Sequence, residues 1–244
     1  MRQSVAFNPA EINVKKMFND IAPRYDFLNH FLSAGTDRRW RKRTIKMLEQ
    51  YHPEYILDIA TGTGDLAIQA ISLNPHKVTG VDISEEMLKI AGKKIIQKNL
   101  GNRIFLQKAA SEDLPFADET FDAVTVAFGV RNFFNLEKGL QEIYRVLKKS
   151  GVVVILEFSV PAAFPMKPLF LLYFRKILPM IGKIVSKNKT AYTYLPETVM
   201  SFPQGKEFTT ILEKTGFIKT RIKRLTAGIC TIYVAEKIIH KYAI

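Results

Sequence analysis

ILDIATGTGDLAI, residues 56–68, packs an apolar strand, a glycine turn and the start of a helix into one stretch. Gly62 and Gly64 let the backbone turn tightly and come close to a ligand. Alternation continues downstream. Residues 65–73 read as a helix stopped by Asn74-Pro75. Residues 77–82 are a second strand, and Ser84 caps a helix to about Lys98, with Glu85 and Glu86 where the helix dipole favours acids. Residues 103–108 and 121–127 read as strands, 136–147 as a helix and 152–157 as a fifth strand. Such alternation implies a mostly parallel sheet with helices on both faces. A helix at about 205–215 and strands at 217–224 and 229–236 follow, and the short turn at 225–228 makes the last two an antiparallel pair. The expected class is therefore α/β, seven strands in all.

Two segments stand outside this rhythm. Residues 11–51 read as two or three helices broken near Pro23 and Gly35, with Asp37 as the N-cap of a helix from Arg38. Residues 160–203, punctuated by Pro161, Pro165, Pro168, Pro179, Pro196 and Pro203, read as a helical insertion plus loop. The expected division is 1–53, a helical segment capping the site; 54–159, the cofactor-binding core; 160–203, an insertion facing substrate and membrane; and 204–244, closing the sheet.

Composition sets the outer limits. The chain has 244 residues, 47% of them hydrophobic, which is enough for one substantial core. A single cysteine, Cys230, excludes an intrachain disulfide framework and points to a reducing compartment. One cysteine and four scattered histidines give no metal-ligand spacing, so no metal is expected. The N-terminus has no apolar signal core, and no run reaches the roughly 20 apolar residues of a membrane span. These features read as a cytoplasmic protein. The net charge of +13 favours an anionic partner, nucleic acid or anionic lipid, or simply reflects a basic bacterial proteome.

Two ligand classes fit the glycine turn. Gly62-x-Gly64-x-x-Ala67 matches the dinucleotide fingerprint, and Asp82, ending the second strand in VTGVDIS, stands where a carboxylate takes ribose hydroxyls. Spacing alone does not separate a dinucleotide from S-adenosylmethionine. Charge favours the latter. Asp58 and Asp65 flank the turn, where a pyrophosphate would meet like charge but an ammonium and a sulfonium are attracted. A Walker-type loop is excluded because no Lys-Ser/Thr pair follows the glycines. The expected cofactor contacts are Asp58, Gly62, Thr63, Gly64, Asp82 and Ile83.

A parallel sheet finished by an antiparallel hairpin resembles the Rossmann-like class I methyltransferase fold. Enzymes of that type close on the adenine with the segment after the third strand, often through Asp or Asn followed by Ala. Ala110 and Ser111 stand there, so the Ser111 backbone N–H is the expected contact. Three further segments narrow the resemblance: YDFLNHFLSAGTDRRW from Tyr25, AFGVRNF from Ala127 and RVLKKSGVVVILEFS from Arg145, with TYLPETV from Thr193 as a weaker match. Together they resemble the UbiE/MenG C-methyltransferases, which methylate polyprenyl quinols. Departures are Asp37 where His is frequent, Lys149-Ser150 for Pro-Gly, and Ala60 at the first glycine of the commoner Asp-x-Gly-x-Gly loop.

The resemblance implies methyl transfer to a ring carbon. A quinol carbon is nucleophilic when its hydroxyl is ionised or strongly hydrogen-bonded, and phenols titrate near pH ~10. An oxyanion clamp and proton carriers are therefore expected. Arg131, after the fourth strand, is the expected cationic clamp, with Asn132 positioning it or the substrate. A guanidinium does not serve as the base itself. The competing role for Arg131 is an ion pair with Asp26 or Glu157 that pins the loop. Tyr25, His30 and Tyr194 are candidate proton carriers. The expected partner is a polyprenyl naphthoquinol, demethylmenaquinol first because a compact chain without a transit peptide looks bacterial. A benzoquinol, an RNA substrate suggested by Arg38-Arg39-Trp40-Arg41-Lys42-Arg43, and a non-enzymatic binder are the alternatives. No RNA-binding module is recognisable, so no nucleic acid is expected. Oligomeric state has no signal. Between Glu157 and Glu197 there is no acidic residue, while Lys167, Arg175, Lys176, Lys183, Lys187 and Lys189 interleave with apolar side chains. That composition suits a peripheral contact with the inner face of the cytoplasmic membrane.

Overall fold

The computed structural model describes residues 14–33, 35–177 and 189–237. Strands β1 (Tyr55–Ile59), β2 (Lys77–Asp82), β3 (Ile104–Lys108), β4 (Phe121–Ala127) and β5 (Leu147–Phe158) run parallel; β7 (Cys230–Lys237) is inserted antiparallel between β5 and β6 (Phe217–Leu225). The seven-stranded order is β3-β2-β1-β4-β5-β7-β6. The expected mostly parallel sheet with an antiparallel C-terminal hairpin is thus found. The central strands are buried on both faces, which is why they read as continuous apolar runs such as VVVIL rather than as alternation. The chain leaves β1 towards β2 and β3, then returns to pair β4 beside β1, with Ile59 opposite Val126. That reversal opens a crevice at the carboxyl ends of β1 and β4, the usual ligand position in open α/β sheets.

Helices α3 (Asp65–Ala70), α4 (Glu85–Gln97) and α5 (Leu136–Val146) connect the strands. Ser84 caps α4 by accepting from the Met87 N–H at 3.2 Å, and Asn135 caps α5 through Lys138 at 2.9 Å. Helix α8 (Lys206–Thr215) precedes β6. One sheet face packs Leu57, Val124, Val153 and Ile155 against Leu140, Ile143, Phe208 and Leu212. The other packs Ile56, Val154 and Leu156 with Trp40, Ile45, Leu48 and Leu66. Burying side chains of this size contributes roughly 1.5–3 kcal/mol each.

The ends of the chain correct several expectations. Helix α1 spans Val14–Leu32 with Pro23 inside it, so no break occurs there. The helix is held by docking: Met17 and Ala22 are buried, and its Asn19 accepts a hydrogen bond from Ser84 at 2.6 Å. Such contacts offset the lost proline N–H, which costs about 3 kcal/mol in an isolated helix. The break at Gly35 is real, with φ 73°. Helix α2 is Thr36–Lys46, capped by Gly35; Asp37 is not the N-cap but lies in the first turn and is buried. The insertion forms α6 (Met166–Leu172), a π-helical turn (Tyr173–Ile177) and α7 (Lys189–Ser201). Pro168 sits in the first turn of α6, where its missing N–H costs little. Lys183 and Lys187 lie outside the described residues.

Candidate active site

The glycine turn carries positive φ at Ala60 (53°), Gly62 (56°) and Gly64 (82°). It brings the Gly62 N–H to Oδ2 of Asp82 at 2.8 Å, while the Ser84 N–H donates to Oδ1 at 2.8 Å. The Asp82 carboxylate is thereby fixed at the end of β2, and burial pushes its pKa up against those two hydrogen bonds. It faces a cavity lined by Gly62, Ile83, Met87, Ala109, Ser111 and Phe133. Helix α1 covers this cavity with Val14, Phe18 and Tyr25. Three expected contacts sit differently. Gly64 lies outside the lining; a Cβ there would stand 3.1 Å from Ala91 Cβ, so it serves the close packing of α3 on α4. Ala110 bridges to Asp113, leaving its neighbours Ala109 and Ser111 on the cavity. Thr63 donates its hydroxyl to Asp26 of α1 at 2.6 Å.

A second small cavity on the other side of the turn is lined by Tyr25, Arg41, Asp58, Thr61, Thr63 and Asp65. Asp58 accepts hydroxyl hydrogen bonds from Thr61 at 2.6 Å and Thr125 at 2.7 Å. Burial nevertheless pushes its pKa up to about 6. Asp65 is already paired, with Lys94 at 2.7 Å and Arg41 at 3.5 Å. Of the two acids flanking the turn, only Asp58 has neutral hydrogen-bond partners. Together the two cavities fit an aminoacyl nucleoside: Asp82 for a ribose diol, the Ala109–Ser111 segment for a base, and Asp58 for an ammonium. A pyrophosphate would meet Asp58.

A larger cavity of about 360 Å³ adjoins both, sharing Tyr25 and Phe128 with them. Its walls come from α1, α2, α6, α7, the π turn and the β6–β7 connection, and most of them are aromatic or aliphatic. Arg131 reaches it from the loop after β4. Its Nη1 donates to Glu157 Oε1 at 2.7 Å and to the Phe128 carbonyl. The guanidinium lies 5.7 Å from the centre of the Phe158 ring. Nε is buried and has no hydrogen-bond partner among the described residues. The ion pair is therefore with Glu157; Asp26 pairs with Lys94 at 2.6 Å instead. Asn132 lines the cavity that Asp82 faces, and its Oδ1 accepts from the Tyr194 hydroxyl at 2.9 Å. Tyr194 lines the larger cavity, and burial raises its pKa to about 12, so it is a donor rather than a base.

Of the candidate proton carriers, Tyr25 and Tyr194 line the cavity and His30 does not. The His30 ring lies 2.8 Å from Asp37 and takes a hydrogen bond from Arg38 at 3.0 Å. Sequence reasoning missed Asp37 and Arg41, which both line the cavity and pair at 2.6 Å. Their i,i+4 spacing was the available signal.

Comparison with known proteins agrees with this geometry. The model of the ubiE/COQ5 methyltransferase family matches residues 7–237. A protein named demethylmenaquinone methyltransferase from Bacteroides fragilis is 48% identical over 225 residues, covering 92% of each chain. Its namesake from Porphyromonas gingivalis is 45% identical, covering 94% of each. The ubiquinone/menaquinone biosynthesis C-methyltransferase UbiE of Geotalea daltonii is 46% identical, covering 92% of this chain and 96% of that one. Among solved structures, a putative S-adenosyl-L-methionine-dependent methyltransferase from Methanococcus maripaludis matches with TM-score 0.63 at 20% identity, covering 93% and 96%. The [4+2]-cyclase SpnF matches with TM-score 0.67 at 14% identity, covering 93% and 95%. A cyclase on the same scaffold shows that the fold alone does not fix the reaction.

Proposed function

Because the chain belongs to the ubiE/COQ5 methyltransferase family, we propose that this S-adenosylmethionine-dependent C-methyltransferase converts demethylmenaquinol to menaquinol. The observation that carries the reading is the junction of two cavities at Tyr25 and Phe128. One side presents the fixed Asp82 carboxylate, the other an apolar chamber large enough for a bicyclic ring and the start of a prenyl chain.

The bound cofactor supplies an electrophilic methyl group. Asp82, Ile83, Gly62 and Ser111 hold its nucleoside end, Asp58 and Thr63 its amino-acid end. Arg131 stabilises the oxyanion that makes the ring carbon nucleophilic. Glu157 and the Phe128 carbonyl hold Nη1 and so fix the guanidinium plane at the chamber wall. In this reading the pairing with Glu157 and the clamp coexist. Asn132, held by Tyr194, positions the loop between cofactor and ring. Tyr25 closes both cavities and helps exclude water. Methylation replaces one ring hydrogen, so one proton leaves per turnover.

In this reading the described parts of the insertion, 160–177 and 189–203, form the substrate entrance. Phe164 and Leu169 are 87% and 55% exposed beside Lys167, while Met166 and Phe170 of the same segment line the chamber. A polyprenyl tail favours an enzyme that docks on the inner face of the bacterial membrane, and among the described residues no helix is long and apolar enough to cross one. The exposed Arg38, Arg39, Lys42 and Arg43 share one face of α2, whereas Arg41 is buried; that face suits an anionic leaflet as well as a phosphate backbone, and the labelling experiment separates the two. The test is incubation with methyl-labelled S-adenosylmethionine and either a lipid naphthoquinol or total RNA. Label in the quinol fraction is expected; label in RNA alone, or in neither, overturns the proposal.

A further inference from the structure

We propose that Asp37 makes the substrate chamber selective for a reduced, hydroxyl-bearing ring over its oxidised, carbonyl-bearing form. This rests on the quinol reading and adds a specificity determinant to it. The chamber is mostly apolar; hydroxyls of Tyr25, Tyr173, Tyr194 and Thr226 are scattered over its lining, and its charged groups stand in two places. Arg131 is one; a guanidinium only donates, and an oxidised or reduced oxygen accepts from it equally well. Asp37, at the corner between α1 and α2, is the other, and among the described residues it is the only acid in the lining.

The Asp37 carboxylate is held with one acceptor position to spare. Oδ2 accepts from Arg41 Nη1 at 2.6 Å and from His30 Nδ1 at 2.8 Å. His30 is the donor because its Nε2 takes a hydrogen bond from Arg38 Nε at 3.0 Å, and a guanidinium only donates. Oδ1 accepts from Ser33 Oγ at 2.9 Å and has no second hydrogen-bond partner among the described residues. The residue is 2% exposed. Burial alone would raise its pKa, but Arg41, Ser33 and His30 outweigh burial and hold it below the usual carboxylate range. The group is therefore a fixed, ionised acceptor. A quinol hydroxyl donates to it; a quinone oxygen, with lone pairs only, meets like charge. The two ring forms have nearly the same shape, and an apolar wall cannot separate them. Discrimination needs a group that repels the wrong one. Only the reduced ring has a nucleophilic carbon, so without Asp37 the oxidised ring would occupy the chamber as a dead-end ligand.

The test uses the full chain under anaerobic conditions with a short-prenyl 1,4-naphthoquinone unsubstituted at the neighbouring ring carbon. KM is measured for its dithionite-reduced form and Ki for its oxidised form. The wild type is expected to favour the reduced form by about 10- to 100-fold, the scale of one hydrogen bond to a charged acceptor. Asp37→Asn, which both donates and accepts, is expected to bring the ratio towards one while S-adenosylhomocysteine affinity stays unchanged. His30→Ala removes a neighbour but keeps the carboxylate, and the ratio is expected to persist. A wild-type ratio near one overturns the proposal without any variant, and so does an unchanged ratio in Asp37→Asn. If the wild type methylates no reduced ring at all, the quinol reading fails instead.

Discussion

Asp58 carries the clearest pH signature of any residue in the site. Its pKa is raised to about 6, so in the folded, unliganded chain it holds a proton that the unfolded chain gives up near 3.8. Between those values the folded state binds more protons, and its stability falls as pH rises. A cation bound beside Asp58 favours the ionised form, so binding below pH 6 has to expel that proton. Titration calorimetry between pH 5 and 8 is expected to show cofactor affinity that is flat above about pH 6 and weaker below it. Asp58→Asn is expected to abolish the dependence; an equal slope in the mutant would remove Asp58 from the cofactor site. Arg131 gives a second residue-scale prediction. Arg131→Lys keeps the charge but cannot reach Glu157, the Phe128 carbonyl and the chamber together. Turnover is expected to fall by about 100-fold, the scale for losing one oxyanion donor, with cofactor affinity unchanged. Wild-type turnover in that variant would leave Arg131 a structural role only. The placement of Asp82 at the end of β2 and of Arg131 on the loop after β4, both at the carboxyl edge of the sheet, was legible in the sequence. Asp37 was not, because a capping reading and a buried-acceptor reading share the same residue type, and only docking of α1 against α2 separates them.

At the scale of elements, the β1–α3 turn and the loop after β4 are packed tightly enough to account for an unusual residue. Ala60 adopts φ 53°, a left-handed conformation that costs an L-residue roughly 1–2 kcal/mol. A Cβ on Gly129 would stand 2.5 Å from Ala60 Cβ and 3.3 Å from Val126 Cγ1. A side chain at 60 is thus tolerated only because 129 has none. Gly129→Ala is expected to destabilise the fold by about 1–3 kcal/mol, the range for overpacking. Ala60→Gly in the same chain is expected to restore most of it, since it removes both the clash and the strained φ. Denaturant melts of the two single variants and the double variant give the coupling directly, and purely additive effects would show that the two loops do not meet as described. The strands were legible because apolar runs and turn residues are local signals. Pro23 misled because its local cost is outweighed by α1 docking on α4, which no window of sequence reveals. Likewise the strand read as 152–157 extends back to Leu147, which pairs with Phe121 across a register shift that leaves Lys148, Lys149 and Ser150 without an apolar pattern.

For the whole molecule, the question is how a water-facing α/β sheet receives a lipid. The chamber is walled by α1, α2, α6, α7 and the β6–β7 connection, away from the β3 edge of the sheet. Two of these walls carry exposed cations. Exposed Lys167, Arg175 and Lys176 accompany the exposed Leu169 and Leu172 on the insertion, and Arg38, Arg39, Lys42 and Arg43 are exposed on α2. Composition alone exposed the basic, acid-free insertion, but only the fold puts α2 beside the same chamber. Each basic residue near an anionic leaflet contributes about 1 kcal/mol, so removing three should weaken docking by roughly a hundredfold. Co-sedimentation with anionic liposomes is expected to show binding at low salt, lost at high salt as the charges are screened. Lys167→Gln, Arg175→Gln and Lys176→Gln together are expected to release most of the protein while leaving turnover of a short-chain, water-soluble quinol intact. If the wild type does not sediment with anionic liposomes at low salt, the membrane contact is wrong. If it does and the triple variant sediments equally, docking runs through α2, and changing Arg38, Arg39, Lys42 and Arg43 to Gln should then release it.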